Sequence, residues 1–164
     1  MKIAVISDIH GNMPYLAKAK AIIDEEGLEI VVCCGDIQDE EAFLELDSWP
    51  QKVYVAFGNA DYAIRENMSR GLLKPRHLEI SLDYGNLIIG GTKLAFCHYP
   101  LFAEKLAESG RYDVVFYGHD HRPWERKVGR TVMLNPGELQ ARDGRPTFAI
   151  YDFVEMKAEL RILT

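Results

Sequence analysis

Apolar positions along this chain fall into short blocks, each closed by polar or glycine punctuation. Lys2 to Ser7 is a β-branched run and predicts a buried strand. Tyr15 to Glu26 carries Leu16, Ala19, Ile22 and Ile23 at helical spacing, and Gly27 marks a stop. Ile30 to Cys34 predicts a second buried strand, Glu40 to Leu46 a short helix, and Val53 to Phe57 a third strand. Strand and helix in alternation imply parallel crossovers.

The second half is richer in strands. Leu78 to Leu82, Leu87 to Ile89 and Lys93 to His98 are short runs divided by turn pairs such as Tyr84-Gly85 and Gly90-Gly91. Leu101 to Glu108 reads as a helix and Asp113 to Tyr117 as a strand. Thr131 to Asn135, Phe148 to Phe153 and Ala158 to Leu163 close the chain as strands. An α/β opening followed by a mixed β tail predicts two facing sheets with helices outside. No repeat, low-complexity tract or linker interrupts residues 1–164, so a single domain is expected.

Composition narrows the partners. The chain has 164 residues, 48% of them hydrophobic and 27% charged, which suits a globular domain with one sizeable core. Its formal net charge of -6 disfavours a long nucleic-acid duplex, which calls for a basic surface. An acidic protein acting on phosphates needs cations at the site itself, and bound metals supply them. No run has the length of a signal peptide or a membrane span, so no membrane partner is expected and the cytoplasm is the default location. Cys33, Cys34 and Cys97 lie in apolar runs without a Cys-x-x-Cys pair and read as buried free thiols.

Chemistry is concentrated where the strands end. Asp8 and His10 follow the first strand, Asp36 the second after Gly35, and Asn59 and Asp61 the third after Gly58. His98 ends a later strand, and His119 and His121 follow another after Gly118. Loops at the carboxyl ends of parallel strands meet on one edge and bind ligands there. Carboxylate, amide and imidazole donors suit Mn, Fe, Ni, Co or Zn. The spacings Asp8-x-His10 and His119-x-His121 put each pair on one face if the backbone is extended. The seven donors Asp8, His10, Asp36, Asn59, His98, His119 and His121 exceed one tetrahedral ion and fit two ions sharing a carboxylate. Of the five histidines, only His77 falls outside this pattern and reads as ordinary surface. Asp8-Ile9-His10-Gly11-Asn12 is not a Gly-x-Gly-x-x-Gly turn, which argues against a dinucleotide-binding domain.

The ordered blocks Asp8-Ile9-His10-Gly11-Asn12, Gly35-Asp36, Gly58-Asn59-Ala60-Asp61, His98 and Gly118-His119-Asp120-His121 resemble the calcineurin-like metallophosphoesterase superfamily. Asn135-Pro136-Gly137 and the short length resemble its small prokaryotic phosphodiesterase branch. The resemblance implies a four-layer αββα sandwich of two mixed β-sheets flanked by helices, with two divalent cations at its centre. One cation would be held by Asp8, His10 and His121, the other by Asn59, His98 and His119, and Asp36 would bridge them. Asp36, Asn59 and His98 would be the catalytic set, with a metal-bridging hydroxide attacking phosphorus in a small phosphoester, a diester rather than a monoester. Gly11, Asn12 and Asp61 are expected at the substrate pocket, although Asn12 and Gly11 also suit a plain turn, and Asp61 also suits orienting a metal ligand from behind or capping the next helix.

Three positions depart from the family pattern. Ala60 stands where larger members often carry His, which removes an obvious general acid. Cys97 precedes His98 in place of Gly, and Glu138 follows Gly137 in place of Ser; both bear on local packing and pocket lining. The competing function is a scaffold of the same fold, as in the retromer subunit whose metal site is impaired. Exposed strand edges also leave a homo-oligomer open. Trp49 and Trp124 could stack a ring, though packing is the plainer role for both.

Overall fold

A computed structural model describes residues 1–164. Eleven strands and four α-helices follow in chain order: β1 (Lys2–Ile6), α1 (Met13–Glu25), β2 (Ile30–Cys33), α2 (Glu40–Ser48), β3 (Lys52–Ala56), a 3-10 turn (Asn59–Asp61), α3 (Tyr62–Ser69), β4 (Glu79–Ser81), β5 (Tyr84–Ile89), β6 (Thr92–Cys97), α4 (Pro100–Glu108), β7 (Val114–Phe116), β8 (Trp124–Val128), β9 (Thr131–Asn135), β10 (Thr147–Asp152) and β11 (Lys157–Ile162). One sheet has the order β11-β10-β1-β2-β3-β4 and the other β5-β6-β7-β9-β8. Both are mixed: β1, β2, β3 and β4 run parallel, while β10 pairs antiparallel with β1 in the register Val5↔Ala149. The second sheet is parallel at β6, β7 and β9 and antiparallel at both edges.

Alternation of side chains explains the layers. Ala4 and Ile6 of β1 face α1 and α2, whereas Ile3 and Val5 face the other sheet. Both faces are covered, so the strand is apolar throughout rather than alternating. Adjacent Cys33 and Cys34 likewise fall into different layers, and Cys97 packs in a third, between the second sheet and α4. All three are buried free thiols. Burial pushes the Cys97 thiol up to about 12 and raises Cys33 and Cys34 further, which keeps them protonated. The fold is thus the αββα sandwich of two mixed sheets anticipated from the sequence.

Some elements differ from the sequence expectation. β8 was not anticipated, and α3 entered only as an unbounded helix for Asp61 to cap. β8 reads Trp-Glu-Arg-Lys-Val and is exposed along nearly its whole length, so it lacks the apolar signal of a strand. Pairing with β9 imposes its conformation. In α3 only Ile64 is buried, too little periodicity to detect. Tyr84 and Gly85, expected in a turn, open β5 instead; a Cβ at Gly85 would meet Phe96 at 2.1 Å, so close packing rather than chain reversal requires this glycine.

One buried carboxylate outside the site holds the long connection after α3. Asp47, near the end of α2, accepts the backbone N–H groups of Arg76, His77 and Leu78 at 2.8–3.1 Å. Burial would raise this carboxyl, but the three amides hold it below the usual carboxylate value. Its contribution is therefore present above the unfolded carboxylate pKa and is lost as pH falls through the lower folded value. Asp47→Ala is expected to cost about 3 kcal/mol at pH 7 and less at pH 3, read from urea midpoints at the two pH values.

Candidate metal centre

Asp8 and His10 leave β1, Asp36 leaves β2, Asn59 leaves β3, His98 ends the β6 segment, and His119 and His121 leave β7. These loops are laced together by their own backbones. Asp8 N–H donates to Gly35 O, His10 N–H to Asp36 O, Gly118 N–H to His98 O, and Gln140 N–H to Asp8 O, at 2.9–3.0 Å. The Asp8 carboxylate accepts the His119 N–H at 3.1 Å, which ties the first sheet to the second.

The seven residues gather into two adjoining groups. Donor atoms of Asp8, His10 and His121 lie within 4.8 Å of one another, as do those of Asp36, His98 and His119. Asn59 joins the second group, its Oδ1 lying 3.2 Å from His98 Nε2. Asp36 stands between the groups, its Oδ2 3.5 Å from His10 Nε2 and 3.4 Å from His98 Nε2. Its Oδ1 is occupied, accepting the Ala60 N–H at 2.8 Å.

The donor chemistry fits divalent cations. His98 Nδ1 sits 2.8 Å from the Cys34 carbonyl, which fixes its proton there and leaves Nε2 as a lone pair facing the group. Gln38 Oε1 does the same for His10 Nδ1 at 2.7 Å, and His10 Nε2 is buried without a hydrogen-bond partner. His98 Nε2 therefore faces Asn59 Oδ1, an acceptor with no proton to give, and His119 Nδ1 at 3.2 Å. Convergent lone pairs with their second nitrogens held by protein acceptors are the arrangement of metal-binding histidines.

Without a cation, the acids and imidazoles polarise one another. Burial works against charge at both Asp36 and His98, yet their mutual attraction dominates, lowering Asp36 and raising His98. The Asp8 carboxylate lifts His121 to about 9 against the effect of burial, with Asp143 and Glu138 adding to the rise.

The backbone departs from the extended form expected of the two His-containing pairs. Asp8, His10, Asp36, His119 and His121 all have positive φ, between 45° and 75°. Tight left-handed turns, not extended segments, converge the donors. Asp and His enter this region more readily than most residues, at a cost of order 1 kcal/mol each. Gly118, beside them, has no room for a side chain, since a Cβ would meet Ser7 Oγ at 2.0 Å and Asp8 Oδ2 at 2.8 Å.

The three residues expected at the substrate pocket each support local backbone. Asp61 is fully buried, and its oxygens accept the N–H groups of Asp36, Gln38 and Gly58, so it braces the loop that carries Asp36. Burial raises its carboxyl despite those amides. Asn12 caps α1 through the Tyr15 N–H and donates from Nδ2 to Gln140 O. Gly11 turns at φ 68°, where a Cβ would meet Asp39 Oδ2 at 2.0 Å. His77 is exposed.

Gln38, Glu138, Gln140 and Asp143 were missed as partners of the histidines. His121 Nδ1 lies 2.6 Å from Asp143 Oδ2, 2.8 Å from Gln140 Nε2 and 3.4 Å from Glu138 Oε2. Glu138 is fully buried, and its other oxygen accepts the Asp143 and Gly144 N–H groups. Its place after Asn135-Pro136-Gly137 was the available signal, and its contact with His121 makes specific the packing and pocket lining expected there.

A groove of about 770 Å³ opens beside His119 and His121, bounded by Pro100, Tyr117, Arg122 and Trp124. Trp49, by contrast, is buried. No helix is long and apolar enough to cross a membrane.

Known proteins share this architecture and sequence. The profile of the calcineurin-like phosphoesterase superfamily domain matches residues 1–156. The chain is 31% identical over 155 residues to phosphodiesterase MJ0936 of Methanocaldococcus jannaschii, covering 93% of each chain. A solved structure described as a novel archaeal phosphodiesterase superposes with a TM-score of 0.88 and 29% identity, covering 99% of this chain and 100% of the other. Vps29 of Chaetomium thermophilum shares the fold at a TM-score of 0.72, with 16% identity and coverage of 99% and 97%.

Proposed function

Because the chain belongs to the calcineurin-like phosphoesterase superfamily, we propose that it is a metal-dependent phosphodiesterase whose two divalent cations are held by Asp8, His10, Asp36, Asn59, His98, His119 and His121. The observation that carries this reading is Asp36 Oδ2 lying between His10 Nε2 and His98 Nε2, one imidazole from each donor group. A single carboxylate oxygen so placed suits a bridge between two ions.

When bound, the cation pair would supply a water acidified enough to act as nucleophile and positive charge against the phosphoryl oxygens. The protein's own residues do the rest. Asp8, His10 and His121 would hold one cation, and Asn59, His98 and His119 the other. Cys34 O and Gln38 hold protons on the distal nitrogens of His98 and His10, keeping the facing nitrogens free. Mn, Ni, Fe, Co and Zn all suit this donor set. The substrate is a small phosphoester, and the cytoplasm is the compartment that suits three free thiols.

Ala60 sets the leaving-group preference. It offers only its backbone N–H, already given to Asp36, and no imidazole to protonate an alkoxide. Good leaving groups need little proton assistance. The metal-loaded protein is therefore expected to cleave bis(p-nitrophenyl) phosphate at least about 100-fold faster than an alkyl phosphomonoester, the low end of what general acids contribute. Steady-state rates with each ester test this, and a preference for alkyl monoesters would refute the view of Ala60.

A scaffold role within the same fold predicts no diester hydrolysis, whether or not metal is bound. The convergence of seven ligand-type side chains favours the enzyme. Metal analysis of the purified protein, paired with a diester assay, separates the two.

A further inference from the structure

Trp124 is the least expected residue in the wall of the groove beside the metal centre. Its indole is 60% exposed, on an edge strand where it stabilises no core. Tryptophan is highly buried on average and is enriched at interfaces. Trp124 lines the same groove as His119 and His121. It and Arg126 are two apart on β8 and so share one face of the strand. Arg126 is paired with Glu104 of α4 at 2.8 Å. Arg122, also in the wall, makes no ion pair and keeps its planar set of donors available.

Size and chemistry select the ligand. At about 770 Å³ the groove falls in the range of pockets that enclose whole small molecules. A methyl or inorganic phosphate at the metal donors would leave most of it empty. A flat ring held against an exposed indole, with a free guanidinium for exocyclic oxygens, describes a nucleobase.

We propose that this groove binds the base of a nucleoside phosphodiester, with Trp124 as its stacking plate and Arg122 as a polar contact, so that the substrate class is nucleotide-derived. The proposal rests on the phosphodiesterase reading of the adjoining centre. The reaction adds water across the P–O bond: its oxygen joins phosphorus, the leaving oxygen departs with the bonding pair, one water proton passes to that oxygen or to solvent, and a nucleoside monophosphate remains.

Two esters with the same leaving group provide the test, thymidine 5′-(p-nitrophenyl) phosphate and methyl p-nitrophenyl phosphate. Wild-type protein loaded with Mn should favour the thymidine ester in kcat/KM, chiefly through KM. Trp124→Ala should reduce that preference about tenfold, the scale of one base–aromatic stack, with metal content unaltered. Thymidine 5′-monophosphate should quench wild-type tryptophan emission saturably, and Trp124→Ala should lose that response, since Trp49 is buried.

If both esters are cleaved and Trp124→Ala leaves the preference intact, the groove proposal falls and the phosphodiesterase reading stands. If neither ester is cleaved with any metal, the phosphodiesterase reading falls. The emission titration then decides the groove alone, and an absent quench, or an equal one in Trp124→Ala, overturns it.

Discussion

Asp36→Asn should lower diester turnover by about 10³-fold while leaving the folded protein intact. Asparagine has nearly the same shape, and its Oδ1 can still accept the Ala60 N–H at the 2.8 Å seen for aspartate. What disappears is the negative oxygen facing His10 and His98. In its place an amide NH₂ would donate to nitrogens whose lone pairs a cation needs. Metal content should therefore fall below two ions per chain, and both groups should suffer because Asp36 lies between them. The backbone bond from Asp36 N–H to Asp61 is independent of this side chain, so circular dichroism and the apo-protein melting temperature should change little. Near wild-type turnover with two ions bound would remove Asp36 from the bridging position.

Removing the cations should be felt in stability as well as in rate. Chelation is expected to abolish diester hydrolysis, and Mn, Ni, Co, Fe or Zn to restore it to different extents. Each ion present at a hundredfold over its Kd stabilises the folded chain by about 2.7 kcal/mol. In a protein of this size each kcal/mol moves the melting temperature by about 2–4 °C. Two ions should then raise it by about 10–20 °C. The left-handed turns at Asp8, His10, Asp36, His119 and His121 supply a physical reason for so large a link. Their strain is opposed in the apo protein by loop hydrogen bonds and by the Asp36–His98 and Asp8–His121 pairs, and bound ions would hold the same turns closed more firmly. Equal melting temperatures with and without chelator, together with undiminished hydrolysis, would mean that no ion belongs at this place.

The positions that converge were legible because apolar runs ended in Gly, Asp, Asn or His, and parallel strands bring such ends to one edge. Their local geometry was not. A two-residue spacing suggests extended backbone, and nothing in Asp8-Ile9-His10 announces two positive φ angles. Those turns are imposed from outside, by hydrogen bonds from Asp8 and His10 to Gly35 and Asp36, far along the chain. Asp143 was invisible for the same reason, and Glu138 was legible only as a departure from the family pattern: their meeting with His121 depends on β9 and β10 bringing that loop across the sheet edge. β8 was missed because an edge strand open to water need not alternate, whereas β1, buried on both faces, was plain. Asp61 looked available beside Asn59; only its complete burial reveals that its charge serves the chain itself.

The position of β1 bears on how the molecule comes into being. This first strand lies between β2 and β10, and β10 begins only at Thr147. During synthesis at about 5–20 residues per second, β1 and β2 can pair early, but one flank of β1 stays open until translation has passed β10. For those seconds an apolar strand presents unpaired N–H and C=O groups to its surroundings. Nascent chains stalled before Thr147 should therefore recruit chaperones or associate with one another, and those stalled beyond Asp152 and clear of the ribosomal tunnel should not.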